Sequence, residues 1–367
     1  MNDKFIFEIL GNDEFINAVG ENGLPGLLGK LLSTSVNSSD LDNMLSAIPS
    51  ETTQEERRFL YNFFCYFWTG KEDVLEIGPL LGGTTRAISL GMSHNVLFDP
   101  ARKLHTYDRF NNYYSGESLA VLLEPLCKRG LLPMSIIRKL KTNANKVEFS
   151  SIFDLLHKNY DYNKIIKKTS ANLPDEPKEM NTLNEKFNLP INSRFESVFI
   201  DGCKSWYGTK AFFMAIAHSL RKDTYLLFQD YGWYTCFWIP SFVYFLRSNL
   251  SLIANIDSTY VFRIDKPFTT NDIQKIFPDT PEMLNAGSYK TIFEFILDRA
   301  SDRGDYRQLV LGRMQCAGAL AYIGEERDAR SIFDILLKET YSKAYLPLIK
   351  QARKNPTYRP NGIVSLS

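Results

Sequence analysis

Val74-Leu-Glu-Ile-Gly-Pro-Leu-Leu-Gly-Gly-Thr-Thr85 is the stretch on which the reading of this chain turns. A short apolar run of strand length stops at Gly78. A helical pattern then opens near Thr84 and continues through Arg86-Ala-Ile-Ser-Leu90. Gly78 lets the chain turn sharply, Pro79 and Leu80 carry the turn, and Gly82 and Gly83 would let a ligand approach the backbone closely. The helix start around Thr84 and Thr85 offers free N–H groups to an anion such as a carboxylate. A dinucleotide site would want Gly-x-Gly-x-x-Gly and a phosphate loop a Gly-Lys-Ser/Thr ending, and the sequence has neither here. Glu76, two positions before the first glycine, is placed to answer a cation. A ligand carrying both an ammonium and a carboxylate therefore suits the loop better than a pyrophosphate. The plain alternative is a strand–turn–helix whose glycines serve packing alone.

Working outward, Leu104-His-Thr-Tyr-Asp108 reads as the next strand, with Asp108 26 residues after Gly82 and Arg109 beyond it. A carboxylate ending the second strand can accept both hydrogen bonds from a ribose diol. Residues 55–68 read as a helix before the glycine turn, and residues 162–168 as a third strand. Ser197-Val-Phe-Ile-Asp201 is a strand ending in Asp-Gly. It is followed by a helix over 208–220, the strand Tyr225-Leu-Leu-Phe-Gln-Asp230, a helix over 237–249 and a closing pair of strands at 251–255 and 259–264. Strands alternating with helices predict an open α/β sheet. Residues 1–54 read as a helical lead-in. Residues 55–268 form the central domain, with an insertion or lid over about 113–195 that holds one or two helices at 118–140 and a polar loop at 170–195. Residues 269–367 form a helical extension, with helices near 290–300, 309–323 and 329–341.

Composition narrows the function. Forty-three Lys plus Arg against 42 Asp plus Glu leave the 367-residue chain at +1. That balance gives no long-range attraction to nucleic acid or anionic membrane. The N-terminus does not read as a signal peptide, and the most apolar stretch, 59–68, is too short to cross a bilayer as a helix. Five widely spaced cysteines without a Cys-x-x-Cys pair read as reduced, packed thiols, which places the protein in a cytoplasm. Four scattered histidines give no zinc spacing, and His218 reads as a core or surface residue.

Glu76-Ile-Gly-Pro-Leu-Leu-Gly-Gly-Thr-Thr85 resembles the first S-adenosylmethionine (SAM)-binding motif of class I methyltransferases, and Tyr107-Asp-Arg-Phe110 their ribose-binding acidic segment. Phe199-Ile-Asp-Gly-Cys-Lys-Ser-Trp-Tyr-Gly208 is similar to the Ile-Asp-Gly-x-His-x-Tyr segment of small-molecule O-methyltransferases, including the macrolide-sugar type. Phe228-Gln-Asp-Tyr-Gly232 is similar to their Asp-Asp-Tyr strand end. The resemblance covers about residues 55–266. It implies a Rossmann-like α/β sheet with helices on both faces, SAM as cofactor, and Glu76, Asp108, Asp201 and Asp230 around one crevice at the carboxyl ends of the strands. The departures are Cys203-Lys204, where the family often has Asp-His, and Gln229-Asp230, where it often has two acids. The usual general base is missing and the usual metal cluster loses ligands, although Asp201 and Asp230 could still hold Mg²⁺ with waters.

A hydroxyl acceptor must lose its proton, and Asp201 or Asp230 could receive it. Lys204 could do so only if burial lowered its pKa; otherwise it orients an anionic acceptor or is a surface residue. The aromatic residues Trp206, Tyr207, Tyr231, Trp233, Tyr234 and Trp238 could wall an acceptor such as a sugar or planar ring, with the insertion covering it. Rival readings are a degenerate SAM-binding domain acting through its helical extension, a protein or nucleic-acid methyltransferase, and a nicotinamide oxidoreductase. The wrong glycine spacing disfavours the last.

Overall fold

The computed structural model describes residues 25–33, 38–111, 113–143, 145–172, 193–359 and 362–366. The chain forms two compact units, one mainly from Gly29–Asn172 and Phe195–Gly202, the other mainly from Cys203–Ser367.

Two short helices, α1 (Pro25–Ser33) and α2 (Ser38–Leu45), come first. The first unit continues with α3 (Gln54–Tyr66), β1 (Asp73–Ile77), α4 (Gly83–His94), β2 (Leu104–Asp108), α5 (Gly116–Lys128), α6 (Met134–Lys141), α7 (Ser150–His157), β3 (Ile166–Ser170) and β4 (Phe195–Ile200). A capping box starts α3: Glu56 N donates to Thr53 Oγ1 at 3.2 Å and Thr53 N to Glu56 Oε2 at 2.9 Å. The four strands are parallel, in the order β3-β2-β1-β4, with Ile77 beside Tyr107 on one side and Ile200 on the other. From β1 the chain steps outward to β2 and β3, then returns to the opposite side of β1. The switch point of the topology therefore lies between β1 and β4. Val74, Leu75, Glu76 and Ile77 are all buried, as a parallel strand covered on both faces requires.

The insertion between β2 and β3 supplies α5, α6 and α7. It packs its own apolar cluster, with Leu119, Leu123, Phe149 and Phe153 at its centre, against Ile48, Leu81 and Phe110. The turn after β1 is thus roofed by inserted helices and fastened to them through leucines.

The second unit holds α8 (Trp206–Ile216), β5 (Tyr225–Phe228), α9 (Trp238–Phe245), β6 (Leu250–Ile256), β7 (Thr259–Ile264), α10 (Thr270–Ile276), α11 (Ala286–Asp302), α12 (Tyr306–Tyr322), α13 (Glu326–Leu336), α14 (Leu346–Lys354), β8 (Thr357–Arg359) and β9 (Gly362–Val364). Its larger strands run in the order β5-β7-β6, with β7 antiparallel to both neighbours, and β8–β9 is a separate hairpin. Phe213 stacks on Phe242 at 4.1 Å and Trp206 on Phe277 at 4.3 Å in an aromatic core.

The fold is the expected Rossmann-like α/β type with appended helices. Several boundaries move. The third strand was expected over 162–168 but begins at Ile166, because Asp161–Ile165 forms a 3-10 turn that sends Tyr162 into the interior. The appended helix expected near 329–341 stops at Leu336, and Thr340–Tyr345 is another 3-10 turn that leads into the further helix α14. Most of the lead-in, and residues 173–192 of the polar loop, lie outside the described residues. The five cysteines are buried, and His218 is exposed. Among the described residues no helix is long and apolar enough to cross a membrane.

Candidate functional site

The turn after β1 is built almost entirely from backbone. Gly78 (φ 82°) and Gly82 (φ 92°) take left-handed conformations open to glycine, but so does Leu80 (φ 49°), which as a bulky residue is an outlier. Gly82 N–H closes the bend on the Pro79 carbonyl at 2.7 Å, and Gly78 N–H reaches the Tyr107 carbonyl at 3.0 Å. Asp108 fastens the neighbouring strand end: its Oδ2 accepts from Leu80 N–H at 3.3 Å and its Oδ1 from Phe110 N–H at 2.7 Å. Asp201 N–H donates to the Ile77 carbonyl at 2.9 Å. Gly78, Asp108 and Asp201 therefore share one edge, the carboxyl ends of β1, β2 and β4. Gly78, Leu80, Asp108, Asp201 and Gly202 are half-buried there, Arg109 is exposed, and Pro79 is buried. Burial pushes the Asp108 carboxyl above its usual range, opposed by the N–H groups of Phe110 and Leu80.

Two expectations about this loop require correction. Glu76 does not face the edge. It is fully buried within β1, with Thr84 Oγ1 and Thr85 Oγ1 each donating to one of its oxygens at 2.7 Å. Burial raises its pKa to about 7 against the opposing effect of the hydroxyls, so Glu76 is a strut that ties β1 to the first turn of α4. Thr84 and Thr85 are likewise buried and spent on Glu76. Gly82 and Gly83 do not open the backbone to a ligand. A Cβ on Gly82 would sit 2.0 Å from His157 Nε2, and one on Gly83 2.4 Å from Ser50 Cβ. Their missing side chains are replaced by protein, as close packing of chain on chain demands.

The group behind Gly82 was not anticipated. His157 is completely buried on α7, its ring 4.3 Å from Phe153, with Nδ1 3.3 Å from the Tyr162 hydroxyl. Arg86 Nη1 donates to that hydroxyl at 2.9 Å, and the guanidinium lies 4.0 Å over the Tyr160 ring. Burial first, then the charges of Arg86 and Lys168, lower the imidazole to about 3 although the Leu81 backbone opposes them, so it is neutral. The available signal was an arginine in an otherwise apolar helical run. Its partners lie too far away in sequence to be paired by inspection.

In the second unit, Lys204 Nζ forms an ion pair with Asp230 and lies 3.4 Å from Gln229 Oε1. Asp230 (φ 65°) and Cys203 (φ 60°) are both left-handed. Such outliers concentrate where a site constrains the chain. The aromatic wall is mostly absent: Trp206, Tyr207, Tyr231, Tyr234 and Trp238 are core residues, and of the six only Trp233, at 37 % exposure, reaches solvent. Trp206 donates its indole N–H to the Pro278 carbonyl at 2.8 Å, and Tyr231 packs 4.5 Å from Tyr260. Among the described residues no three His, Cys, Asp or Glu side chains cluster as a metal site.

No protein-family model matches the sequence, and no curated protein matches it. Solved structures similar to it include methyltransferases. The TDP-rhamnose 3′-O-methyltransferase CalS11 of calicheamicin biosynthesis is 14% identical, over 69% of this chain and 95% of that one, with a TM-score of 0.36. The O-methyltransferase NovP is 12% identical, over 68% and 100%, with a TM-score of 0.38. The Podospora anserina methyltransferase PaMTH1, with S-adenosylhomocysteine bound, is 14% identical, over 70% and 97%, with a TM-score of 0.34.

Proposed function

We propose that the chain is a SAM-dependent methyltransferase acting on a hydroxyl of a small molecule, a sugar or a secondary metabolite. One observation carries the reading: Gly78, Asp108 and Asp201 stand together at the carboxyl edge beside the switch point of a parallel sheet, where such sheets bind ligands. The donor set fits the cofactor. Asp108 is a half-buried carboxylate whose orientation is fixed by two backbone N–H groups, and its remaining lone pairs suit a ribose diol. The Gly78–Leu80 backbone forms the adjoining wall, with Arg109 exposed beside it. Glu76, Thr84, Thr85, Gly82 and Gly83 hold the turn in shape from beneath.

Bound SAM supplies a methyl group on a sulfonium, and the residues must do the rest by placing the acceptor oxygen in line with it. That oxygen sheds a proton, and Asp201 or Asp230 is the carboxylate to receive it. Lys204 holds Asp230 and brings a positive charge that can orient an anionic acceptor. It supplies at Asp230 the charge that Mg²⁺ would otherwise bring, so we assign the pair, rather than a metal, to the acceptor side. The near-neutral net charge supports a small-molecule acceptor over nucleic acid, and five buried, widely spaced cysteines suit a cytoplasmic setting.

Titration calorimetry with SAM, S-adenosylhomocysteine and NAD tests this. Heat with the first two and none with NAD is expected; binding of NAD alone would end the proposal. A second reading, a SAM-binding domain without transfer, is favoured by the engagement of Asp230 with Lys204. S-adenosylhomocysteine that accumulates faster with candidate acceptor extracts distinguishes the enzyme from that reading.

A further inference from the structure

After β5 the chain bends through Asp230, and Trp233 N–H closes the bend on the Asp230 carbonyl at 3.0 Å. The carbonyls of Tyr231 and Trp233 point to one side chain from the appended helices. Gln315, fully buried on α12, donates from Nε2 to both, at 2.7 and 3.0 Å. A primary amide carries two N–H donors in a fixed fork, so a single Gln sets the spacing of two carbonyls. Further along, Thr357 Oγ1 at the start of β8 donates to the Thr235 carbonyl at 2.9 Å. Tyr358 beside it stands edge-on to Trp238, with ring centroids 5.3 Å apart, and hydrogen-bonds Cys236. The loop that presents Asp230 is therefore bracketed by residues of the C-terminal extension.

We propose that the extension shapes the Lys204–Asp230 site of the second unit, with Gln315 as a positioning residue that fixes the Asp230 bend and, through it, that pair. This rests on the methyltransferase reading only in calling that pair the acceptor side. Without the amide, the buried Tyr231 carbonyl loses its Gln315 donor and the Trp233 carbonyl is left with the Cys236 N–H at 3.1 Å, so the bend must open toward water to satisfy the first. Asp230 then leaves its left-handed conformation, and Lys204 loses the Asp230 carboxylate.

The test is the acetylation rate of Lys204 by acetic anhydride, normalised to exposed Lys266 and read by peptide mass spectrometry, in the full chain. In Gln315→Met the rate rises about tenfold, the factor for losing one charge-assisted hydrogen bond. Asp230→Asn gives a similar rise, and the double variant gives no more than either alone, because both act on one pair. Thr357→Val, which removes the second anchor, gives a smaller rise in the same direction. Phe333→Leu, a cavity variant within α13, matches the stability loss and leaves Lys204 protected. An unchanged rate in Gln315→Met, or an equal rise in Phe333→Leu, overturns the proposal. S-adenosylhomocysteine calorimetry runs in parallel. Binding retained in Gln315→Met supports a role confined to the Lys204–Asp230 pair, and binding lost together with Lys204 protection overturns it. A wild-type protein that binds no S-adenosylhomocysteine removes the methyltransferase reading, while the Lys204 rates still decide what Gln315 does.

Discussion

In the first unit, the turn after β1 is braced by Glu76, Thr84 and Thr85, all within ten residues of one another, and by His157 pressed against Gly82. In the second, the turn after β5 is braced by Gln315, 84 residues from the carbonyl it holds, and by Thr357, 122 residues away. The first turn is rigid because there is no room beside it; the second is rigid because hydrogen bonds reach it from appended helices. Close packing resists added atoms, whereas a hydrogen-bonded bend resists the loss of donors. The two should therefore fail under opposite kinds of substitution.

The largest effect is expected at the packed turn. Gly82→Ala forces a Cβ onto the His157 ring at a left-handed backbone and should cost about 3 kcal/mol or more in urea unfolding, with part of the loss recovered by adding His157→Ala. Gly232→Ala, in the hydrogen-bonded bend, meets a Tyr260 ring atom at 3.3 Å and backbone atoms of Asp257 and Ser258 at 3.5 Å, and should cost about 1 kcal/mol or less. Equal losses at the two glycines would erase the distinction.

Next in size is the division of labour between the acids. Asp108→Asn should weaken S-adenosylhomocysteine binding roughly 10- to 100-fold by calorimetry, as expected for losing charge-assisted bonds to a diol, whereas Asp230→Asn should leave it within about twofold. The reverse pattern would place the cofactor in the wrong unit.

The smallest effect is a pair of opposed pH slopes beneath the first turn. The Glu76 pKa rises from 4.5 to about 7 on folding, so between those values the folded protein keeps a proton the unfolded chain has released, and stability falls as pH rises. His157 falls from 6.5 to about 3, so between those values the unfolded chain holds the extra proton, and stability falls as pH drops. From pH 4.5 to 6.5 the two cancel. Glu76→Gln should unmask a loss toward acid, and His157→Asn a loss toward pH 7, each near 1.4 kcal/mol per pH unit in denaturant midpoints. Parallel slopes in both variants would show that neither group titrates as its burial requires.

The same contrast explains what the sequence disclosed. Asp73–Ile77 and Leu104–Asp108 were legible to the residue because each apolar run ends in a glycine or an acid that cannot continue it. The placement of Asp108 and Asp201 at one edge followed from the sheet order that the family resemblance implies. Glu76 was misjudged because its partners, two threonine hydroxyls, were read as part of the ligand site rather than as its own satisfaction. Gly82 was misjudged because the atom filling its space belongs to a helix beyond the next strand. The aromatic run from Trp206 to Trp238 was half-read: residue type fixed its bulk, while burial, which a linear pattern does not carry, made five of the six core. Gln315 gave no signal at all, since a glutamine in a helix looks alike whether it is solvated or holds two carbonyls.

Leu80 carries a broader consequence. A glycine would adopt φ 49° without strain, yet the chain places a leucine there and packs it against the inserted helices. The motif is consequently not portable: transplanted into another parallel sheet, the same dozen residues would lack the helical roof that makes their backbone worth adopting. Loop and insertion form one structural piece, and trimming one should unmake the other.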